Sequence, residues 1–242
     1  MLAEAISPIT PAIATPVATQ QLGLTLSNKN NSAKHITSTI IDTLTKQIIN
    51  APTEVSAALR FGEVTSAQDW RQVLELRTKV YKKSLPYLMS ADSLKSDRQL
   101  DSFSTVYAIW IDSKVVATIR LTSGSFESQQ FLTEQQLVDF LGEDYQRCYL
   151  EWGRLIVDGS VGLRTLMPAM TIYAGMKVLS ETPFQHYFGY SKPLIHRLFK
   201  RFLIAEDTVE FRIPERFNRK YLLLKGNFLN DFNMLAEKNF QL

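Results

Sequence analysis

The sequence contains very little cysteine and histidine, the residues that most often build disulfides, metal sites and nucleophilic centres. Among its 242 residues there is one cysteine, Cys148, and there are three histidines, His35, His186 and His196. A lone cysteine excludes an internal disulfide and a zinc site of several thiolates. Because no carboxylates stand at ligand spacing from the histidines, we predict no metal site. The sequence also lacks the P-loop, GxGxxG, HExxH and GxSxG motifs, which argues against the enzyme classes that use them.

An excess of charge is absent too, since 27 Lys and Arg residues stand against 24 Asp and Glu residues, a formal net charge of +3. So small an excess predicts no nucleic-acid partner. No apolar run is long enough to span a bilayer. The opening segment MLAEAISPITPAIATP has no early Lys or Arg and carries prolines where a signal peptide would be apolar. We therefore expect no export signal and a cytoplasmic protein.

The N-terminal region divides into two predicted segments. Residues 1–33 are rich in Ala, Thr, Pro, Ser and Asn and contain no aromatic residue, so we predict a disordered tail. Residues 34–55 predict an amphipathic helix that docks on the rest of the protein; a helix that binds a partner or rests on a membrane is the alternative. Its apolar stripe consists of Ile36, Ile40, Ile41, Leu44 and Ile48.

Residues 56–242 alternate strand and helix patterns and predict one α/β domain with a mixed sheet flanked by helices. STVYAIWID and VVATIRLTS are β-branched and aromatic runs, joined by a hairpin turn at Asp112-Ser113-Lys114. CYLEWGRLIVD predicts a third long strand, which the loop DGSVGLR connects to a helix. HYFGYS, DTVEFRI and KYLLLKG predict later strands, and KPLIHRLFKRF predicts a basic amphipathic helix.

The third long strand carries two ionisable residues, Glu151 and Arg154, inside an otherwise apolar run. Charged side chains are rarely buried unless they are paired. On a regular strand these two would point to opposite faces, but a bulge near Gly153 would bring both to one side. Two interpretations stay open at this point: a catalytic pair, or a buried Glu–Arg pair that only orders the core.

The loop that follows this strand predicts an anion site. A strand that runs into a glycine-containing loop and a helix start presents free backbone N–H groups, which bind phosphate. Other strand–loop–helix connections offer similar donors, so the loop alone does not assign a function. The candidate residues are Val157, Gly159, Ser160, Gly162, Leu163 and Arg164.

Four separated segments together resemble a known family. LRTKVYKKSL contributes Arg77 and Tyr81, SDRQLDSFSTVYAIW contributes Asp101, TIRL contributes Arg120, and EWGRLIVD contributes Glu151 and Arg154. In this order and spacing the segments, which span about residues 59–202, resemble the acyl-homoserine-lactone synthases and the N-acyl amino acid synthases. Both are bacterial branches of the GNAT acyltransferase superfamily.

The chain departs from the family pattern in three places. Arg98 stands where a second carboxylate is usual, with Asp97 one position earlier, and Pro86-Tyr87 replaces an expected indole. Both positions help to seat S-adenosylmethionine in the lactone synthases, so the departures favour a different acceptor. The loop has VGLR in place of the usual Q/R-x-x-G-x-G/A, which favours a longer acyl chain over acetyl-CoA.

The resemblance implies a GNAT-like acyltransferase that moves an acyl chain from acyl carrier protein or acyl-CoA to the amine of an amino acid or related small molecule. It implies no cofactor beyond that co-substrate. Glu151 would be the base, held by Arg154, and the backbone N–H of Leu155 would bind the thioester carbonyl. The pantetheine arm would lie along the loop described above. The residues expected to bind the acceptor are Arg77, Asp101 and Arg120.

Three alternatives remain: a lactone synthase, an acyltransferase acting on a protein or polyamine, and a GNAT-like module that binds a thioester or a protein without turnover. A basic cluster near the late helix could dock an acidic carrier protein, although a solvated helix face is the other interpretation. Its members are Lys192, Arg197, Lys200 and Arg201. Cys148 is expected to fill the core, because no histidine is placed to activate it.

Overall fold

The computed structural model describes residue 39 and residues 41–200 and 207–239. The predicted tail, residues 1–33, and Arg201 of the basic cluster lie outside the described residues. The strands are β1 Leu59–Glu63, β2 Thr105–Ile111, β3 Lys114–Thr122, β4 Tyr149–Val157, β5 His186–Ser191, β6 Asp207–Ile213 and β7 Arg219–Asn227. The helices are α1 41–49, α2 Thr53–Ala58, α3 Ala67–Ser84, α4 Ala91–Asp101, α5 Glu134–Leu141, α6 Tyr145–Cys148, α7 Leu166–Glu181, α8 Pro193–Phe199 and α9 Phe228–Asn239.

The seven strands of the described residues form one mixed sheet in the order β1-β2-β3-β4-β5-β7-β6. Among these strands β4 and β5 are parallel, and the other neighbouring pairs are antiparallel. The β4–β5 pairing ends at Trp152 and Gly189, although β4 continues along β3 and β5 continues along β7. The sheet therefore opens at the C-terminal ends of its two parallel strands. This architecture confirms the predicted mixed sheet flanked by helices.

A bulge interrupts β4 just beyond this opening. Arg154 and Leu155 of β4 lie opposite the single residue Ile119 of β3, because Gly153 pairs with Arg120 and Ile156 pairs with Thr118. The backbone of Arg154 has φ +52°, in the left-handed region that non-glycine residues seldom adopt. The bulge predicted near Gly153 is confirmed, and its extra residue directly follows that glycine.

Helices cover both faces of the sheet. Side chains of α7 and of strands β2–β4 share the largest apolar core, which includes Ile109 and Tyr173, whereas α3 packs on the other face around Trp110. The alternation of Ile109 and Trp110 between these cores is the period-2 pattern of a strand buried on both faces. Helix α1 buries Ile41 and Ile49 in the larger core. Among the described residues, no helix combines the length and apolar character that crossing a bilayer requires.

Two local predictions differ from the structure. Cys148 ends the short helix α6 and is exposed, so the prediction that it fills the core is wrong. The acidic segment before β2 forms helix α4, which sequence reasoning had not predicted. Ser90 caps this helix by accepting a hydrogen bond from the Ser93 amide (3.2 Å).

Candidate active site

Helix α4 presents two buried carboxylates to the sheet. Asp97 and Asp101 are four residues apart, which places both on one face of the helix. Arg77 of α3 donates to Asp101 with 2.6 Å between Nη1 and Oδ2. Arg120 of β3 donates to Asp97 at 2.8 Å and lies 3.3 Å from Asp101. In the family pattern a second carboxylate is usual at position 98, where this chain has Arg98. In the structure Asp97, one position earlier, is the second carboxylate of the network.

The predicted acceptor-binding residues lie in the buried part of this network. Arg77 is 2% exposed and Arg120 1% exposed, and Asp101 is buried between them. None of the three belongs to the wall of the cavity described below. Their contact with an acceptor stays a prediction; in the structure Arg77, Asp101 and Arg120 form ion pairs within the network.

Glu127 is the centre of the network, and sequence reasoning missed it. It lies in the 3-10 turn Glu127–Gln130, between β3 and α5. Its Oε2 accepts from Arg120 (2.9 Å) and Arg154 (2.8 Å). Its Oε1 accepts from Arg216 (2.9 Å) and Tyr190 (2.7 Å). Burial opposes ionisation, but the positive charges of the three arginines prevail and hold the pKa of Glu127 at about 2.

Arg154 does not contact Glu151, although the sequence predicted that it would hold this residue in place. Its Nε donates to Asp97 (2.7 Å) and its Nη1 donates to Glu127 (2.8 Å). Arg154 and Glu151 both form hydrogen bonds with Glu127, but with different groups of that residue. Arg154 meets the carboxylate of Glu127, whereas Glu151 meets its backbone.

Glu151 is bound by backbone amides. Its carboxylate accepts hydrogen bonds from the N–H of Glu127 and from the N–H of Ser128, the latter at 2.9 Å. Burial and the neighbouring negative charge of Glu127 raise the pKa of Glu151 to about 7, against the opposing effect of these amides. Glu151 is 2% exposed and lies behind Glu127 when viewed from the cavity.

A cavity of about 410 Å³ occupies the opening between β4 and β5. At one end its wall is charged and aromatic, with Glu127, Arg154, Tyr190 and Arg216. The bulge residue Leu155 also lines it, so the irregular backbone of β4 borders the open space. The rest of the wall is mainly apolar and includes Leu85, Leu88, Met167, Leu194, Ile195, Phe199 and Leu224.

The predicted phosphate loop has fewer available donors than expected. Asp158 accepts from the amide of Ser160 (3.0 Å) and pairs with Lys79 of α3 (2.8 Å), so the Ser160 amide is engaged within the loop. Val157 is half-buried against the core. Gly162 adopts φ +77° and turns the chain into α7. Gly162 and Arg164 are exposed, and Leu163 and Gly159 complete the loop surface.

The predicted carrier-docking residues separate into two environments. Arg197 on α8 and Lys200 directly after this helix are exposed, as a docking surface requires. Lys192 instead lines the cavity and is half-buried. Within the described residues, no group of three His, Cys, Asp or Glu side chains could hold a metal ion.

The sequence matches no protein-family model and no curated protein. Several solved structures share the fold. One is FeeM, an N-acyl amino acid synthase from uncultured soil microbes: 9% identity, TM-score 0.58, covering 72% of this chain and 92% of that one. Another is BjaI, a CoA-dependent acyl-homoserine-lactone synthase: its structure with MTA gives 12% identity and TM-score 0.56, covering 75% and 88%. The structure of BjaI with SAM and isopentyl-CoA gives 13% identity and TM-score 0.52, covering 69% and 79%. The GNAT-like fold is therefore established, and the resemblance to these synthases is confirmed at the level of the fold.

Proposed function

We propose that this protein is an N-acyltransferase that moves an acyl chain from a thioester of acyl carrier protein or CoA to the amine of an amino acid or related small molecule. One observation carries the proposal: the cavity at the opening between β4 and β5 joins a charged end to a long apolar wall. A thioester with an acyl chain and a polar amine need these two environments side by side.

The bulge supplies the first requirement of the chemistry, which is stabilisation of the developing oxyanion. Because Arg154 and Leu155 leave the regular β3–β4 ladder beside the cavity, the N–H of Leu155 is our candidate donor to the thioester carbonyl. Regular pairing would direct this amide into the ladder. In the proposed reaction the amine attacks the carbonyl carbon, the C–S bond breaks, and the thiol leaves with a proton.

The second requirement is a base that can take a proton from the attacking amine. Glu127 lines the cavity, but its pKa of about 2 makes it too weak a base near neutral pH. Glu151, with a pKa of about 7, has a suitable basicity. Since Glu151 lies behind the cavity wall, we propose that it accepts the proton through a water molecule.

The donor side of the proposal has support from the fold relatives and from the surface. BjaI is described as CoA-dependent and was solved with isopentyl-CoA, and FeeM is described as an N-acyl amino acid synthase. By analogy we place the pantetheine phosphate at Gly162, Leu163 and Arg164, where the loop enters α7. Arg197 on α8 and Lys200 directly after it are exposed cations near the cavity-lining residues of that helix, and are our candidates for docking an acidic carrier protein.

The test is an assay of purified protein with acyl-CoA and acyl-carrier-protein donors and a panel of amino acids, amines and S-adenosylmethionine, read by mass spectrometry. We expect an N-acyl amino acid product, with a turnover number that falls at least about a hundredfold in Glu151→Gln. Glu75→Gln, an exposed carboxylate on α3, is the matched control and should keep full activity.

Each component of this assay can contradict a different part of the proposal. A folded Glu151→Gln variant with unchanged turnover would remove Glu151 as the base. An acyl-homoserine lactone as the main product would replace the acceptor class. Absence of transfer to every amine, with tight thioester binding retained, would favour a binding module.

A further inference from the structure

Lys192 is a cation inside the cavity wall that has no anionic partner in the described part of the chain. It directly precedes α8, is half-buried, and lines the cavity together with Tyr87 and Tyr190. Its Nζ lies 5.9 Å from the centroid of the Tyr87 ring. None of the ion pairs among the described residues includes Lys192. A partly buried, unpaired ammonium group is unfavourable unless something else neutralises it.

The positive charges near Lys192 make the binding of an anion there more favourable. Burial lowers the pKa of Lys192, and the positive charges of Arg219 and Arg216 lower it further. Arg216 is itself committed, because its Nη2 pairs with Glu127 (2.9 Å) and its Nη1 donates to Tyr190 (3.1 Å). Glu127 is shared among three arginines and has no capacity left for Lys192. The region around Lys192 therefore carries an excess of positive charge.

Aromatic side chains surround Arg216 beside Lys192. The guanidinium of Arg216 lies 4.5 Å from the ring centroid of Phe131 and within 6 Å of the rings of Tyr87, Tyr190 and Tyr221. The hydroxyls of Tyr87 and Tyr221 are 3.0 Å apart and form a hydrogen bond. A cationic wall next to this pair of phenolic hydroxyls is suited to recognising an oxyanion.

We infer that Lys192, beside Arg216 and Tyr87, binds a substrate oxyanion, which is the carboxylate of the amino-acid acceptor. The inference rests on the proposed acyl transfer and names an acceptor-binding cation that, unlike Arg77 and Arg120, lines the cavity. The other source of an oxyanion is a phosphate of the donor. We favour the carboxylate because the donor phosphate already has a candidate place at Gly162–Arg164 before α7, whereas Lys192 belongs to the wall next to α8.

The experiment uses two product-like probes that differ only in a carboxylate, N-octanoylglycine and N-methyloctanamide. Their affinities for the wild type, Lys192→Gln and Lys192→Arg are measured by calorimetry. Wild type should bind N-octanoylglycine roughly tenfold to a hundredfold more tightly, the size of one charge-assisted contact. Lys192→Gln should abolish this preference, and Lys192→Arg should keep most of it. Lys114→Gln, in the exposed β2–β3 hairpin, is the control.

The outcomes separate this inference from the proposed function. A preference that persists in Lys192→Gln would overturn the assignment of Lys192. Weaker binding of phosphopantetheine by Lys192→Gln, with N-octanoylglycine unaffected, would assign the oxyanion to the donor and overturn the acceptor role. If the wild type binds neither octanoyl probe and transfers no acyl group, the proposed function itself fails.

Discussion

The buried network of carboxylates and arginines around Glu127, here called the charged cluster, has two sides. Each side contains one buried glutamate. On the cavity side, Glu127 is surrounded by the arginines at positions 120, 154 and 216. On the core side, Glu151 accepts hydrogen bonds from the backbone amides of Glu127 and Ser128 and has no arginine partner among the described residues. The same residue type therefore has a pKa of about 2 on one side and about 7 on the other.

This difference shows how one sheet can hold a permanent anion and a titratable base next to each other. Charge–charge attraction stabilises the ionised form of Glu127 more than burial penalises it. For Glu151 burial and the adjacent anion dominate, and two amide hydrogen bonds do not compensate. Pairs of acids whose surroundings separate their pKa values in this way are typical of catalytic sites, although structural networks produce them too.

The largest expected effect on stability comes from removing the charge of Glu127, the glutamate on the cavity side. Glu127→Gln leaves Arg120, Arg154 and Arg216 buried without their shared carboxylate. Removing one partner from a buried ionic network costs about 3–5 kcal/mol, so the free energy of unfolding, measured by urea denaturation, should fall by that amount. Glu75→Gln, exposed on α3, should change it little. A loss below about 1 kcal/mol would show that the network is not the stabilising unit described here.

The next prediction concerns stability as a function of pH, because Glu151 and Glu127 contribute to it in opposite pH ranges. The pKa of Glu151 rises from 4.5 to about 7 on folding, so its stabilising contribution is complete below about pH 4.5 and is lost as the pH rises through 7. Glu127 behaves oppositely, because its pKa falls to about 2: its contribution is present above pH 4.5 and is lost as the pH falls toward 2.

We therefore expect the stability of the wild type relative to Glu151→Gln to fall by about 3 kcal/mol between roughly pH 4 and pH 8. Urea unfolding across this range, with Glu75→Gln as the control, measures the difference. Parallel pH profiles for the wild type and Glu151→Gln would contradict the raised pKa.

The smallest effect concerns the apolar wall rather than the cluster. Ile195 is half-buried and lines the cavity on α8, so Ile195→Trp should occupy space that an acyl chain would use. The ratio of kcat/KM for a long-chain donor to that for a short-chain donor should fall about tenfold or more. The pH profile should be unchanged, since Ile195 is apolar and has no titratable group. An unaltered chain-length preference would move the acyl chain out of this cavity.

The sequence predicted the elements that local patterns determine. Charged residues inside the apolar run of β4, next to Gly153, indicated the bulge, and Asp112-Ser113-Lys114 indicated the hairpin. It placed Asp101 and Arg120 at the site but did not predict that both would be buried in a network of ion pairs. The burial of these two residues depends on helix α4. The mixed polar pattern of that segment did not predict a helix.

Glu127 and Arg216 could not be predicted because nothing local marks them. Glu127 is a single acid in a turn between two phenylalanines, and its partner Arg216 is 89 residues away in the chain. Arg216 also lies in the C-terminal part that the family resemblance does not cover. Only the folded sheet, with β7 beside β5, brings these residues together.

The pH dependence of kcat for acyl transfer tests the central claim most directly. If Glu151 accepts the proton of the amine, kcat should rise with pH through an apparent pKa of about 7. The same rise should be absent from the residual activity of Glu151→Gln and retained in Glu75→Gln. A wild-type profile that is flat between about pH 5 and pH 9, or a Glu151→Gln profile with the same inflection, would contradict the account.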